Sequence, residues 1–141
     1  MLSLSQLEIA LHVLHDDNAE LDWDEYFDLH HQIDPSQEDL APRLLQEFNR
    51  DVRGHDTLLL PFLIEALKKL NACREIPCDW LLQASRSRDP HVRREVFSIA
   101  SCEFLDLEAC IKIWRNVATN PREYIFRRLR ALIRLLVNRN P

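Results

Sequence analysis

Glycine is almost absent: the 141 residues include one, Gly54, where average usage would give roughly ten. Sheet proteins use glycine in tight turns and bulges, so its scarcity argues against a strand-rich fold and for helices joined by short loops. Also missing is any apolar run near the ~18 residues that a membrane span needs. The opening Met1-Leu2-Ser3-Leu4-Ser5-Gln6 lacks the basic stretch of a secretory signal. The expectation is a cytoplasmic protein with no membrane partner. Cys73, Cys78, Cys102 and Cys110 form no Cys-x-x-Cys pair. The last two fall in apolar helical stripes, which predicts reduced, buried thiols. No His-Glu-x-x-His, phosphate-binding loop or nucleophile motif occurs. His12, His15, His30 and His31 have no cysteine or carboxylate companion at ligand spacing. These absences predict a non-enzyme without metal or cofactor.

What the chain does have is 46% hydrophobic and 29% charged residues, enough to bury a core within one domain spanning 1–141. Its net charge of −5 conceals a separation. Residues 1–56 carry 14 acids against Arg43, Arg50 and Arg53, a balance of −11, whereas residues 57–141 carry nine acids against 15 bases, a balance of +6. From Lys112 to Arg139 there are eight bases and one acid, Glu123.

Apolar residues recur at helical spacing along the chain. Ser5-x-x-Glu8 has the pattern of a capping box for a first helix ending near His15. A second runs from about Asp22 to Ile33, stopped by Pro35. A third covers about Leu40–Arg53, with Gly54 suited to a left-handed terminator. A fourth, capped by Asp56 and apolar all round, reaches Asn71 and should be central. Pro77 with Asp79 opens a fifth, Asp89-Pro90 a sixth, Asp106 a seventh and Asn120-Pro121 an eighth. The predicted core includes Leu63, Leu67, Val96, Ile99, Ile113, Leu129 and Leu132.

The helices recur as well. Leu44-Leu45-Gln46 returns as Leu81-Leu82-Gln83, 37 residues on, and Trp80…Asp89-Pro90…Val92-Arg93-Arg94 is echoed about 32 residues later by Trp114…Asn120-Pro121…Phe126-Arg127-Arg128. A two-helix period in the thirties marks stacked hairpins. The run Asp89-Pro90-His91-Val92-Arg93-Arg94-Glu95-Val96 resembles the turn and second-helix start of a HEAT repeat, most closely over residues 80–104 and partially over 107–137. The resemblance implies an all-α fold of antiparallel helical hairpins stacked as a short HEAT-like α-solenoid. In it the aspartate caps, the valine enters the core and Arg93 pairs along the stack. The habits it implies are those of a scaffold.

Two segments are candidate sites. Trp23, Asp24, Glu25, Tyr26 and Asp28 combine aromatic anchors with carboxylates able to steer a basic partner. Their structural alternative is core aromatics beside a solvated acidic face. Arg127, Arg130 and Arg134 share the face of the last helix opposite its apolar stripe and could contact phosphates, although the chain as a whole is acidic. The leading expectation is a non-catalytic protein-binding module of the immunity or antitoxin type. It would neutralise a basic toxin or enzyme through the acidic N-terminal hairpin. The alternatives are a nucleic-acid-binding HEAT-like protein using the C-terminal arginines and a generic adaptor or scaffold.

Overall fold

A computed structural model describes residues 1–14, 23–54, 59–101 and 103–138, excepting the side chains of residues 14 and 23–27. Among these residues eight α-helices span Leu4–Leu14 (α1), Trp23–Gln32 (α2), Ala41–Gly54 (α3), Leu60–Lys69 (α4), Cys78–Ser85 (α5), Pro90–Ile99 (α6), Leu107–Thr119 (α7) and Ile125–Val137 (α8). Short 3-10 turns at Glu38–Leu40 and Cys73–Glu75 precede α3 and α5, and no strand occurs among the described residues. The chain is all-α, as its glycine scarcity predicts.

Local chemistry sets the helix ends, in several places not where the sequence patterns put them. The capping box at α1 is Ser3 with Gln6, not Ser5 with Glu8: Gln6 N–H donates to Ser3 Oγ at 3.1 Å and Ser3 N–H to Gln6 Oε1 at 2.8 Å. Ser3-x-x-Gln6 satisfies two orphan donors as well as the later pattern could, and two residues sooner. Asp89 does cap α6, accepting from His91 N–H at 2.9 Å. Asp106 stands at the N-cap of α7 without a side-chain capping bond, and the expected cap Asp56 lies outside the described residues. Pro61 is accommodated in the first turn of α4. Gly54 ends α3 without a positive φ; the left-handed residue is Asn71 (φ 55°), just past α4. Asn120 and Pro121 do not open α8. Asn120 instead folds a turn, its Oδ1 accepting from Arg122 N–H at 3.0 Å, and α8 begins only at Ile125.

Helices adjacent in sequence pair as α3 with α4, α5 with α6 and α7 with α8; α3, α5 and α7 also touch in succession, as do α2, α4 and α6. Greasy α4 is central, with Phe62, Leu63, Ile64, Ala66 and Leu67 wholly buried. Val96, Ile99 and Ile113 join it in the core as predicted. Polar side chains stitch the pairs together. Gln83 Nε2 donates to Val52 O at 2.9 Å, and Asn116 Nδ2 to Ser85 Oγ at 2.7 Å. The Phe48 and Trp80 rings stack with centroids 6.1 Å apart. Arg93 does pair along the chain: its Nε meets Glu123 Oε2 at 3.2 Å, and its Nη1 donates to Ser87 O at 2.8 Å and Arg88 O at 3.1 Å. That clasp ties the turn before α6 to the turn before α8.

Candidate interaction surface

Helix α8 is attached to the body by its arginines. Arg127 pairs with Glu123, whose side chain is fully buried and already holds Arg93. Arg128 Nε donates to Ala118 O at 3.2 Å, near the end of α7. Arg134 Nη1 donates to Ala100 O at 3.3 Å, just past the end of α6, and its guanidinium lies 4.7 Å from the centre of the Phe97 ring. Helix C-termini leave their last carbonyls unbonded and carry partial negative charge, so both carbonyls are suited to arginine donors. Only Ala131 of α8 is buried, with Leu135 packed partly against the core.

These contacts fix the rotation of the helix. At 100° per residue, Arg127 and Arg134 fall within ~20° of each other, and Ile125, Leu129, Leu132 and Leu136 fall on the opposite side. That apolar stripe therefore faces outward. Phe126 is 75% and Val137 74% exposed, while Leu129 and Leu132 are each 47% exposed. The assignment of Leu129 and Leu132 to the core is thus overturned: the side of α8 that meets the body is the arginine side, because buried Glu123 and two helix-terminal carbonyls require it. The same geometry alters the proposed phosphate ridge. Arg127 and Arg134 do lie opposite the apolar stripe, but that face is turned onto the protein, and of the three only Arg130 is exposed.

Fully exposed large side chains present roughly 150–250 Å² each. Ile125, Phe126, Leu129, Leu132, Ile133, Leu136 and Val137, each about half exposed or more, therefore offer on the order of 700 Å² along one helix. The largest apolar patch on a typical monomer is about 300–600 Å².

Of the acidic-aromatic candidates, Asp28 is exposed on α2; the side chains of Trp23, Asp24, Glu25 and Tyr26 lie outside those described. Nearby Glu8 on α1 pairs with Arg43, which also reaches buried Glu47 at 3.4 Å. The Arg43 guanidinium holds the Glu8 carboxyl below its usual value. A crevice of about 680 Å³ opens beside α3 and α5, with Asp51, Arg86, Arg88, Asp89 and Arg122 in its walls. Its charges are partly committed, since Arg86 donates to Asn116 Oδ1 at 3.2 Å and Asp89 caps α6. Elsewhere, burial foremost and the neighbouring Glu65 carboxyl next push Glu95 up to about 7. Cys73 is buried and its thiol is pushed up to about 12, mainly by that burial. Cys73 and Cys78 are free thiols, buried Cys110 Sγ donates to Leu105 O at 3.9 Å, and Cys102 lies outside the described residues. Among the described residues no helix is long and apolar enough to cross a membrane.

Comparison with known protein families, with curated proteins and with solved structures finds no match to this chain. The surface that stands out, the outward stripe of α8, was visible in the sequence as a helical stripe but was read as core. The signal that could have corrected this is Glu123, the single acid among the C-terminal bases. It precedes Arg127 by four residues, the spacing of an ion pair on a helix turn.

Proposed function

We propose that this chain is a non-catalytic protein-binding module that makes contact through the outward face of α8. The observation that carries this reading is a helix with its apolar stripe in solvent and three of its arginines, Arg127, Arg128 and Arg134, held on the body. Such an area of exposed aliphatic and aromatic side chains suits burial against another protein. The alternating contacts of α3–α8 support a short stack of helical hairpins as the scaffold, in keeping with the HEAT-like pattern at Asp89-Pro90.

A second reading is favoured by the −11 balance of residues 1–56. In it, the acidic end with exposed Asp28 docks a basic protein, as an immunity or antitoxin protein would. Association of tagged full-length chain with host proteins and with added untagged chain, read by mass spectrometry, separates the two. Binding lost in the Leu129→Glu/Ile133→Glu double variant but kept in Asp24→Asn/Glu25→Gln/Asp28→Asn supports the α8 surface. The reverse pattern supports the acidic end. Micromolar binding of duplex DNA at physiological salt, abolished by Arg130→Gln, would overturn both.

A further inference from the structure

The outward residues Ile125, Leu129, Leu132 and Leu136 are separated by four, three and four positions. This is the seam spacing with which one helix packs along another at a shallow angle. Phe126 and Ile133, seven apart, widen the seam on one side, and no charged residue interrupts it. The occupant expected from that pattern is a helix with an apolar face of its own.

We infer that this occupant is the α8 stripe of a second copy of the chain, run antiparallel about a two-fold axis; the inference rests on reading α8 as a contact surface. A four-three-four spacing is the same read in either direction. Reversed against itself, it sets Leu129 opposite Leu132 of the partner subunit and Ile125 opposite Leu136 of the partner subunit. Antiparallel pairing also puts Phe126 and Ile133 on the same rim as Ile133 and Phe126 of the partner subunit, so the widened side of the seam meets itself. Arg130 lies ~120° round the helix from the seam centre, leaving its charge in solvent rather than against its twin. Arg127, Arg128 and Arg134 are held on the body.

Area and composition agree. On the order of 700 Å² of apolar side chain per copy approaches the roughly 800 Å² per partner of a standard interface. A contact face without charges matches the more apolar character of homodimer interfaces. Among the described residues a head-to-tail arrangement has no apolar counterpart of comparable extent. The other exposed large apolar side chains are mainly on α1, where Leu4 stands on a different side of the helix from Ile9 and Val13. A two-fold contact closes on itself and stops at two copies, whereas a head-to-tail one need not.

The test is sedimentation equilibrium of the full chain at micromolar concentration. Wild type is expected at twice the chain mass of 16.7 kDa. Leu129→Glu/Ile133→Glu should sediment as a monomer with unchanged helical circular dichroism. Phe126→Ala, which removes only an exposed ring, should weaken self-association by about tenfold or more; it decides the matter if the double variant does not fold. A dimer that survives both changes places the contact elsewhere and overturns the inference. So does a monomeric wild type. If that monomer still captures a host protein and loses it in the α8 variant, the second copy is excluded while α8 remains a contact surface. If capture is unaffected by α8, both readings fail.

Discussion

Helices α3 and α8 are nearly equal in length and equally sharp in separating apolar from polar side chains, yet they sit on the protein with opposite faces. In α3 the stripe of Leu44, Phe48 and Val52 points into the core and Arg50 and Arg53 point out. In α8 the stripe points out, and Arg127, Arg128 and Arg134 reach in to the body. Amphipathic pattern therefore defines which faces a helix has, and the groups already buried beneath it decide which face turns inward. Beneath α3 lie the apolar surfaces of α4 and α5. Beneath α8 lie the Glu123 carboxylate, the Ala100 and Ala118 carbonyls and the rings of Phe97 and Trp114.

The contrast can be tested at each attachment. The largest effect is expected at Phe48, fully buried in α3. Phe48→Ala should lower unfolding free energy by about 3–5 kcal/mol in a denaturant titration, and a loss near zero would mean that α3 is not packed by its stripe. Next is Glu123→Ala, which strands buried Arg93 without its anion. Breaking a buried pair from one side costs about 3–5 kcal/mol, here toward the lower end because Arg93 keeps its bonds to the Ser87 and Arg88 carbonyls. Hydrogen exchange should quicken in α8 more than in α3; equal protection in both would refute the anchoring role of Glu123.

A third attachment, that of α6 on α4, should depend on pH where those of α3 and α8 do not. Arginines do not titrate in the accessible range, but Glu95 on α6 is raised from its ordinary 4.5 to about 7. The folded state holds this proton more tightly than the unfolded one. The associated stability is therefore complete below pH 4.5 and is lost as pH rises through about 7. Glu95→Gln should recover on the order of 2 kcal/mol at pH 8 and add almost nothing at pH 4, as thermal melts at the two pH values would show. The smallest change is expected at Leu129: under dilution to the monomer, Leu129→Ser should shift unfolding by no more than about 0.5 kcal/mol. A loss of about 2 kcal/mol or more there would return this residue to the core.

Much of the helical order was legible in the sequence. Periodicity located all eight helices. The apolar circumference of α4 marked it as central, and Asp89-Pro90 announced both the cap of α6 and the inward course of Arg93. Boundaries were less legible, because Ser3 and Ser5 offer competing caps within one turn and because Asn120 forms a turn of its own instead of capping. The orientation of α8 was the least legible. A stripe of Leu and Ile at helical spacing looks the same whether the surface beneath it is apolar or polar. Long-range contacts distinguish the two cases, those of Glu123 with Arg93 thirty residues away and those of Arg128 and Arg134 with the Ala118 and Ala100 carbonyls. As for the acidic-aromatic segment, composition showed its charge and the fold places Asp28 in solvent, but a local pattern cannot say which neighbours the aromatic rings meet.

The buried Arg93–Glu123 pair is felt in time as well as in free energy. Arg93 lies in the opening turns of α6 and Glu123 in the turn before α8, so the C-terminal hairpin cannot seat until α6 exists to receive it. Both ions must shed water before they meet, a cost that only the completed pair offsets. During synthesis Arg93 is also the earlier of the two, added thirty residues before Glu123. The arginine clasp thus makes the direction of the α8 stripe depend on a residue of α6, since the same Glu123 holds Arg93 on one side and Arg127 on the other.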